Sequence, residues 1–435
     1  SPISDDPRRI LVGVGRVQAV QPDALPYEQT GDGFGSVLWE RIVRHSIRPT
    51  MEDGFLLPYQ ELIELGDAGR CAPEEMAVFV PDELTGQFSY ASEHVSHDAA
   101  LALLLDLERS VELIATITSG SWDAPRAWLS ERVAEVWEAR GPCPGLGAAL
   151  TAFGVRQGVL VAMAADLELD DNADPWPLID SWMADPEAHP HTQGRVGSTI
   201  AKAWAALPEK RRQLLRLISR FDLSIEQATR AYQETERARA GMSLTDDHIL
   251  ANPYVLYEAD RTAPEPIAVN LVDRGVFPDD RVRDAHPLPA PSRVDEPVDP
   301  RRVRALVIDE LEIAAGAGDT LHPESLVLQS IRDRPLAPAC PISKDLMAVC
   351  SPALPPEVDT VSTADGQPAF QLLRYGAAKK SIARQVERRR KGAALAVGAD
   401  WARLIDEALH GSATGDGADE EEAQARQEKA AALEV

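Results

Sequence analysis

The residues best equipped for chemistry in this chain are cations gathered on one short segment. The stretch RYGAAKKSIARQVERRRK (374–391) holds Arg374, Lys379, Lys380, Arg384, Arg388, Arg389, Arg390 and Lys391 against Glu387 alone, a local balance of +7. Its apolar residues Ala378, Ile382 and Val386 recur every fourth position, which predicts a helix with one apolar stripe. Such a helix suits the neutralisation of phosphates, a contact that carries no base preference. The acidic tract 416–422 is a rival partner within the same chain.

Other candidates are weaker. His94 and His97 stand beside Glu93 and Asp98, and His189 and His191 flank Pro190, but neither pair has a third and fourth ligand at metal-site spacing. Cys143 in GPCPGLG is boxed by prolines and suits a turn better than a nucleophile. Asp170, Asp171 and Asp174 cluster as a solvated loop would. The glycine-spaced GVGRVQ fits a strand with close backbone packing. The chain has no G-x-x-x-x-G-K-[ST] to cradle a phosphate and no G-x-S-x-G elbow.

The body that carries these residues is acidic. Its 435 residues include 44 Lys+Arg and 70 Asp+Glu, a net charge of −26, so everything outside the basic segment sums to −33. A generic polyanion binder is excluded; any nucleic-acid contact must be a local basic patch working against the global field. Aromatics are 5% and the core is rich in Ala, Leu and Val, which favours helices over strands. The four cysteines form no C-x-x-C pair, consistent with a reducing cytoplasm. No apolar run is long enough to predict a membrane span, and SPISDDPRR has no signal-peptide core. The final AALEV lies inside a helical pattern, which predicts a segment of a longer polypeptide.

The expected architecture is mainly α with a β-containing N-terminal domain. Residues 1–95 form a mixed α/β domain of unassigned role, with strands at 10–20 and near Val37, Trp39, Val43 and Ile47. Residues 96–262 form a helical domain opened by a Ser96 cap. It holds an approximate repeat: LGAALTAFGV (146–155) then NADPWPLID (172–180), and LLRLISRFDL (214–223) then ANPYVLYE (251–258). Each copy predicts two short helices joined by a tight turn, and Ser224 to Gln227 is a capping box. This is the unit of helix-hairpin-helix modules, which can offer turn amides to a phosphate, although Asp222 in one turn opposes it. Residues 263–299 contain a Pro- and charge-rich stretch, a linker by composition. Residues 300–392 predict three helices, a hairpin at Asp365-Gly366 and the basic helix, the order of a winged helix. The second helix is assigned Leu326, Leu328 and Ile331, the third Ile342, Leu346 and Val349. Residues 393–435 are an acidic linker and a further helical start.

The order NPYVLYEAD (252–260), IAVNLVDRGVFPDD (267–280) and RRVRALVIDELEIAAGAGDTLHPESL (301–326) resembles the RecD-like DNA helicases of superfamily 1. There an N-P-Y segment closes a helix-hairpin-helix unit, and an R-x-R-A helix leads to a G-H-T-x-L-P turn. Gly318 to Pro323 matches that turn with Asp319 in place of His. The family's hairpin and following basic helix match 367–373 and 374–390, and Gln427 stands where the family places its adenine-reading glutamine. The match covers about 205–392, extends by repeat to 140–180 and is short at 424–435; residues 1–120 have no counterpart.

The resemblance implies the accessory, DNA-positioning region of an ATP-dependent 5′-to-3′ DNA helicase, with ATP and Mg serving a motor encoded beyond Val435. The implied partners are single-stranded or forked DNA and that motor. Lys379, Lys380, Arg384, Arg388, Arg389 and Lys391 are the expected DNA-binding residues, and Gln427 the nucleotide contact. The competing expectation is a protein-docking module of a DNA-processing or defence complex, with residues 1–120 as the recruiting part.

Overall fold

The computed structural model describes residues 17–20, 43–45, 55, 57–81, 95–392, 400 and 404. The chain divides into two compact units, 1–373 and 374–435. Among the described residues the first is mainly helical, with a small antiparallel sheet near its end, and none of its helices is long and apolar enough to cross a membrane.

Two short strands, β1 (Val17–Val20) and β2 (Val43–His45), pair antiparallel with an irregularity between Val17 and Ala19. The remainder of both expected strands lies outside the described residues. Helix α1 (Tyr59–Asp67) follows. Then α2 (His97–Ile117) starts where the Ser96 hydroxyl accepts from the Ala99 amide at 3.2 Å. It buries Leu101, Leu103, Leu104, Leu105, Leu107, Val111 and Ile114, too many for a single stripe, so it is covered on several sides. Its main partner is α3 (Asp123–Arg140), through Leu129 and Trp137. At their junction the buried Arg140 guanidinium donates to the buried Asp98 carboxylate and to the Arg220 carbonyl at 3.1 Å.

Two helical hairpins lie within 146–232. The first is α4 (Leu146–Phe153) and α5 (Gly158–Asp166), joined through Gly154 at φ 113°. Its helices touch backbone to backbone: a Cβ on Gly147 would lie 2.8 Å from the Val159 Cα. Helices α6 (Trp176–Ala184) and α7 (Ser198–Ala205) come next. The second hairpin is α8 (Glu209–Ser219) and α9 (Ile225–Tyr232), with the expected Ser224–Gln227 capping box formed. It packs against α4. Short helices α10 (Glu234–Arg239), α11 (Asp246–Ala251) and α12 (Val255–Asp260) complete the region.

The composition of 263–299 predicts a linker, and the structure corrects this. The segment contains α13 (Val269–Val276) and α14 (Asp280–Ala285) and buries Ile267, Val272, Phe277, Val282, Leu288 and Val294. Val282 packs with Leu101 and Trp137. The Pro-rich part also belongs to the packed body. Proline has no N–H to satisfy, so an extended proline segment needs donors only for its carbonyls. Arginines supply them: Arg301 donates to the carbonyls of Ala251 (3.0 Å), Pro291 (2.9 Å) and Arg293 (2.6 Å), and Arg302 to that of Pro297 at 2.9 Å.

Helix α15 (Pro300–Gly316) is capped by Asp299 and buries Val303, Leu306, Val307 and Leu311 as expected. Strand β3 (His322–Pro323) leads to α16 (Glu324–Asp333), then α17 (Lys344–Cys350), β4 (Val358–Ser362) and β5 (Pro368–Leu372). The sheet order is β3-β5-β4, and the Asp365-Gly366 turn closes the β4–β5 hairpin with Gly366 at φ 81°. Two registers differ from expectation. In α16 the buried residues are Val327, Leu328 and Ile331, with Leu326 outside. In α17 they are Met347 and Cys350, while Leu346 is exposed and Val349 is 70% exposed. Ile342 is buried but precedes the helix, so the helix begins two residues later and its inward face is rotated.

Helix α18 (Leu373–Arg390) runs over the basic segment, mostly within the second unit.

Candidate nucleic-acid interface

Helix α18 brings the expected phosphate contacts together. Lys379, Lys380, Arg384, Arg388 and Arg389 lie on it and Lys391 directly follows; all six are exposed. Among the described residues the acid near them is Glu387, which pairs with Arg390 at 3.3 Å and Lys391 at 3.0 Å. Lys379, Lys380, Arg384, Arg388 and Arg389 have no ion pair among the described residues. Helical geometry sorts them into faces. At about 100° per residue, Lys380, Arg384, Arg388 and Lys391 fall within about 80° of arc and about 17 Å of length, a continuous cationic ridge. Ala378, Ile382 and Val386 lie on the opposite side, with Ile382 63% and Val386 58% exposed. The sequence pattern therefore gave the helix and its stripe, but a stripe of this kind also predicts burial, and these residues are exposed. Gln427 lies outside the described residues, as do His94 and the tract 416–422.

The hairpin turns are less available. In the first, the Arg156 amide donates to the Arg195 carbonyl at 3.1 Å and the Val155 amide to the Leu150 carbonyl at 2.9 Å. In the second, the Leu223 amide donates to the Phe221 carbonyl at 2.8 Å. Asp222 is turned toward the start of α2: burial raises its carboxyl above the usual range, Asp98 adds to this, and a hydrogen bond with Ser96 opposes it.

The remaining candidates have structural roles. His189 and His191 pack on Trp182, with ring centroids 6.2 and 5.2 Å away, and His191 meets Glu168 at 3.2 Å. Asp174 accepts from the Trp176 amide at 3.0 Å. Burial pushes the Cys143 thiol upward beside Ser219 and Trp176, which disfavours a thiolate. Among the described residues no three metal-ligating side chains converge.

Sequence reasoning missed one polar cluster. Arg302, fully buried, forks onto Asp273 at 2.8 Å through both Nε and Nη2, and the Tyr254 hydroxyl donates to the same carboxylate at 2.6 Å. Arg304 grips Glu258 at 2.8 Å, and Arg230 grips Asp260 at 2.8 Å. Burial, then the adjacent Asp273, holds the Tyr254 phenol well above its ordinary value. Apart from Arg230 on α9, these residues come from NPYVLYEAD, LVDRGVF and RRVRAL, the segments that carry the resemblance. In this fold Arg302 and Arg304 lock helices together and are not free for a phosphate. The alternation of Arg in one segment with Asp and Glu in the others was the available signal.

The chain matches no family model, no curated protein and no solved structure.

Proposed function

We propose that this chain is the DNA-positioning accessory region of a RecD-like, ATP-dependent 5′-to-3′ DNA helicase. Its partners on this reading are single-stranded or forked DNA and the motor of the same polypeptide. The observation that carries it is the exposed cationic ridge of α18, unpaired among the described residues apart from Lys391. The order of three helices, a hairpin and a basic helix supports a winged-helix reading of 300–392. The paired hairpins support a helix-hairpin-helix reading of 146–232.

On this reading Lys380, Arg384 and Arg388 neutralise successive phosphates, and the acidic remainder of the chain repels the strand. Binding is then oriented, independent of sequence and steeply weakened by salt. The chain has no phosphate loop, and on this reading ATP and Mg belong to the motor.

The test is reversal of charge on one face. Lys380→Glu, Arg384→Glu and Arg388→Glu together are expected to lower single-strand affinity at least 100-fold in a fluorescence-anisotropy titration at low salt. Arg389→Glu, on the side of the apolar stripe, is expected to cost less than any single reversal on the ridge. Unchanged affinity in the triple variant rejects the reading.

A further inference from the structure

A group of exposed apolar side chains lies far from the basic segment in sequence. Helix α5 buries Val161 and Ala165 but leaves Val159, Leu160 and Met163 exposed, and Leu167 just after it is 89% exposed. Ile225, at the start of α9, is exposed as well. Between α4, α5 and the start of α9 runs an open groove of about 290 Å³. Gly147, Ala148 and Ala162 line it, and Val159, Met163 and Ile225 stand along it. The glycine is needed for the close α4–α5 crossing, and its lack of a side chain leaves the groove open.

Acids edge this apolar groove. Asp166 lines it, and the exposed Glu226 follows Ile225. A fitting occupant is a helix with a narrow apolar stripe bordered by cations. The stripe of α18 has that form: Ala378, Ile382 and Val386 follow one another at successive turns, with Lys379 and Arg389 beside them. Ile382 and Val386 are about 6 Å apart along the axis, one turn, as two neighbouring knobs in a groove would be.

We propose that the groove of one copy seats the apolar stripe of α18 from a second copy of this chain. Two copies exchanging helices reciprocally form a closed twofold pair. The ridge of Lys380, Arg384, Arg388 and Lys391 lies on the other side of the helix, so self-association leaves it open to solvent. The proposal stands on the groove and the stripe and does not depend on the DNA reading.

Sedimentation equilibrium of the full chain over a hundredfold concentration range tests it. The expected result is a monomer–dimer equilibrium. Met163→Glu in the groove and Ile382→Glu on the stripe are each expected to weaken it at least tenfold. Both sites are exposed, and circular dichroism checks that folding is retained; Val159→Ser is a milder second groove variant. Mixing the two Glu variants is expected to restore a 1:1 complex, because one supplies an intact helix and the other an intact groove. A wild-type chain that stays monomeric throughout, or a mixture that fails to associate, overturns the proposal.

Discussion

At the scale of single residues, arginines in this chain stand in two different settings, and burial separates them. Arg302 is fully enclosed and held by Asp273 and three backbone carbonyls, those of Pro297, Pro338 and Ala339. A buried pair of this kind is costly to break, because the survivor keeps its charge without its partner. Asp273→Ala is therefore expected to lose about 3–5 kcal/mol in urea unfolding. Arg384 and Arg388 are exposed, and reversing them is expected to leave stability nearly unchanged. Asp222 provides a pH test. Its carboxyl is raised in the folded state by burial first and Asp98 second. The folded form thus holds its proton more tightly than the unfolded one, and stability falls as pH rises from the unfolded value through the folded one. Asp222→Asn is expected to remove that decline and to be more stable than wild type at pH 7, as followed by thermal melts between pH 4 and 7.

At the scale of elements, what was legible in the sequence was local. The Ser96 cap, the Ser224–Gln227 box, the Asp365-Gly366 hairpin and the span of the basic helix follow from neighbouring residues and are found where they were expected. Features set by distant partners were hidden. Proline content marked 263–299 as a linker, but the donors that make its burial affordable lie on α15. The inward face of α17 depends on where that helix begins, which periodicity fixes poorly over seven residues. The α4–α5 contact is another long-range constraint. Gly147→Ala places a methyl 2.8 Å from the Val159 Cα, and since backbone cannot step aside cheaply, a loss of about 1–3 kcal/mol is expected in thermal unfolding.

At the scale of the whole molecule, the candidate interface was legible as composition and not as geometry. A cluster of cations in a chain of net charge −26 stands out in any reading, but which of them share a face depends on the helix. On the proposed function that face sets how many phosphates are neutralised, and the acidic remainder limits how many more can be. The number of counterions released on binding measures this directly. The decisive measurement is single-strand affinity of the full chain across a salt series. The account predicts a log–log slope near −2.1, about 0.7 for each of Lys380, Arg384 and Arg388, shrinking in magnitude by about 0.7 for each of them replaced by Ala. A flat salt dependence, or a slope that does not respond to Lys380→Ala, Arg384→Ala or Arg388→Ala, would contradict it.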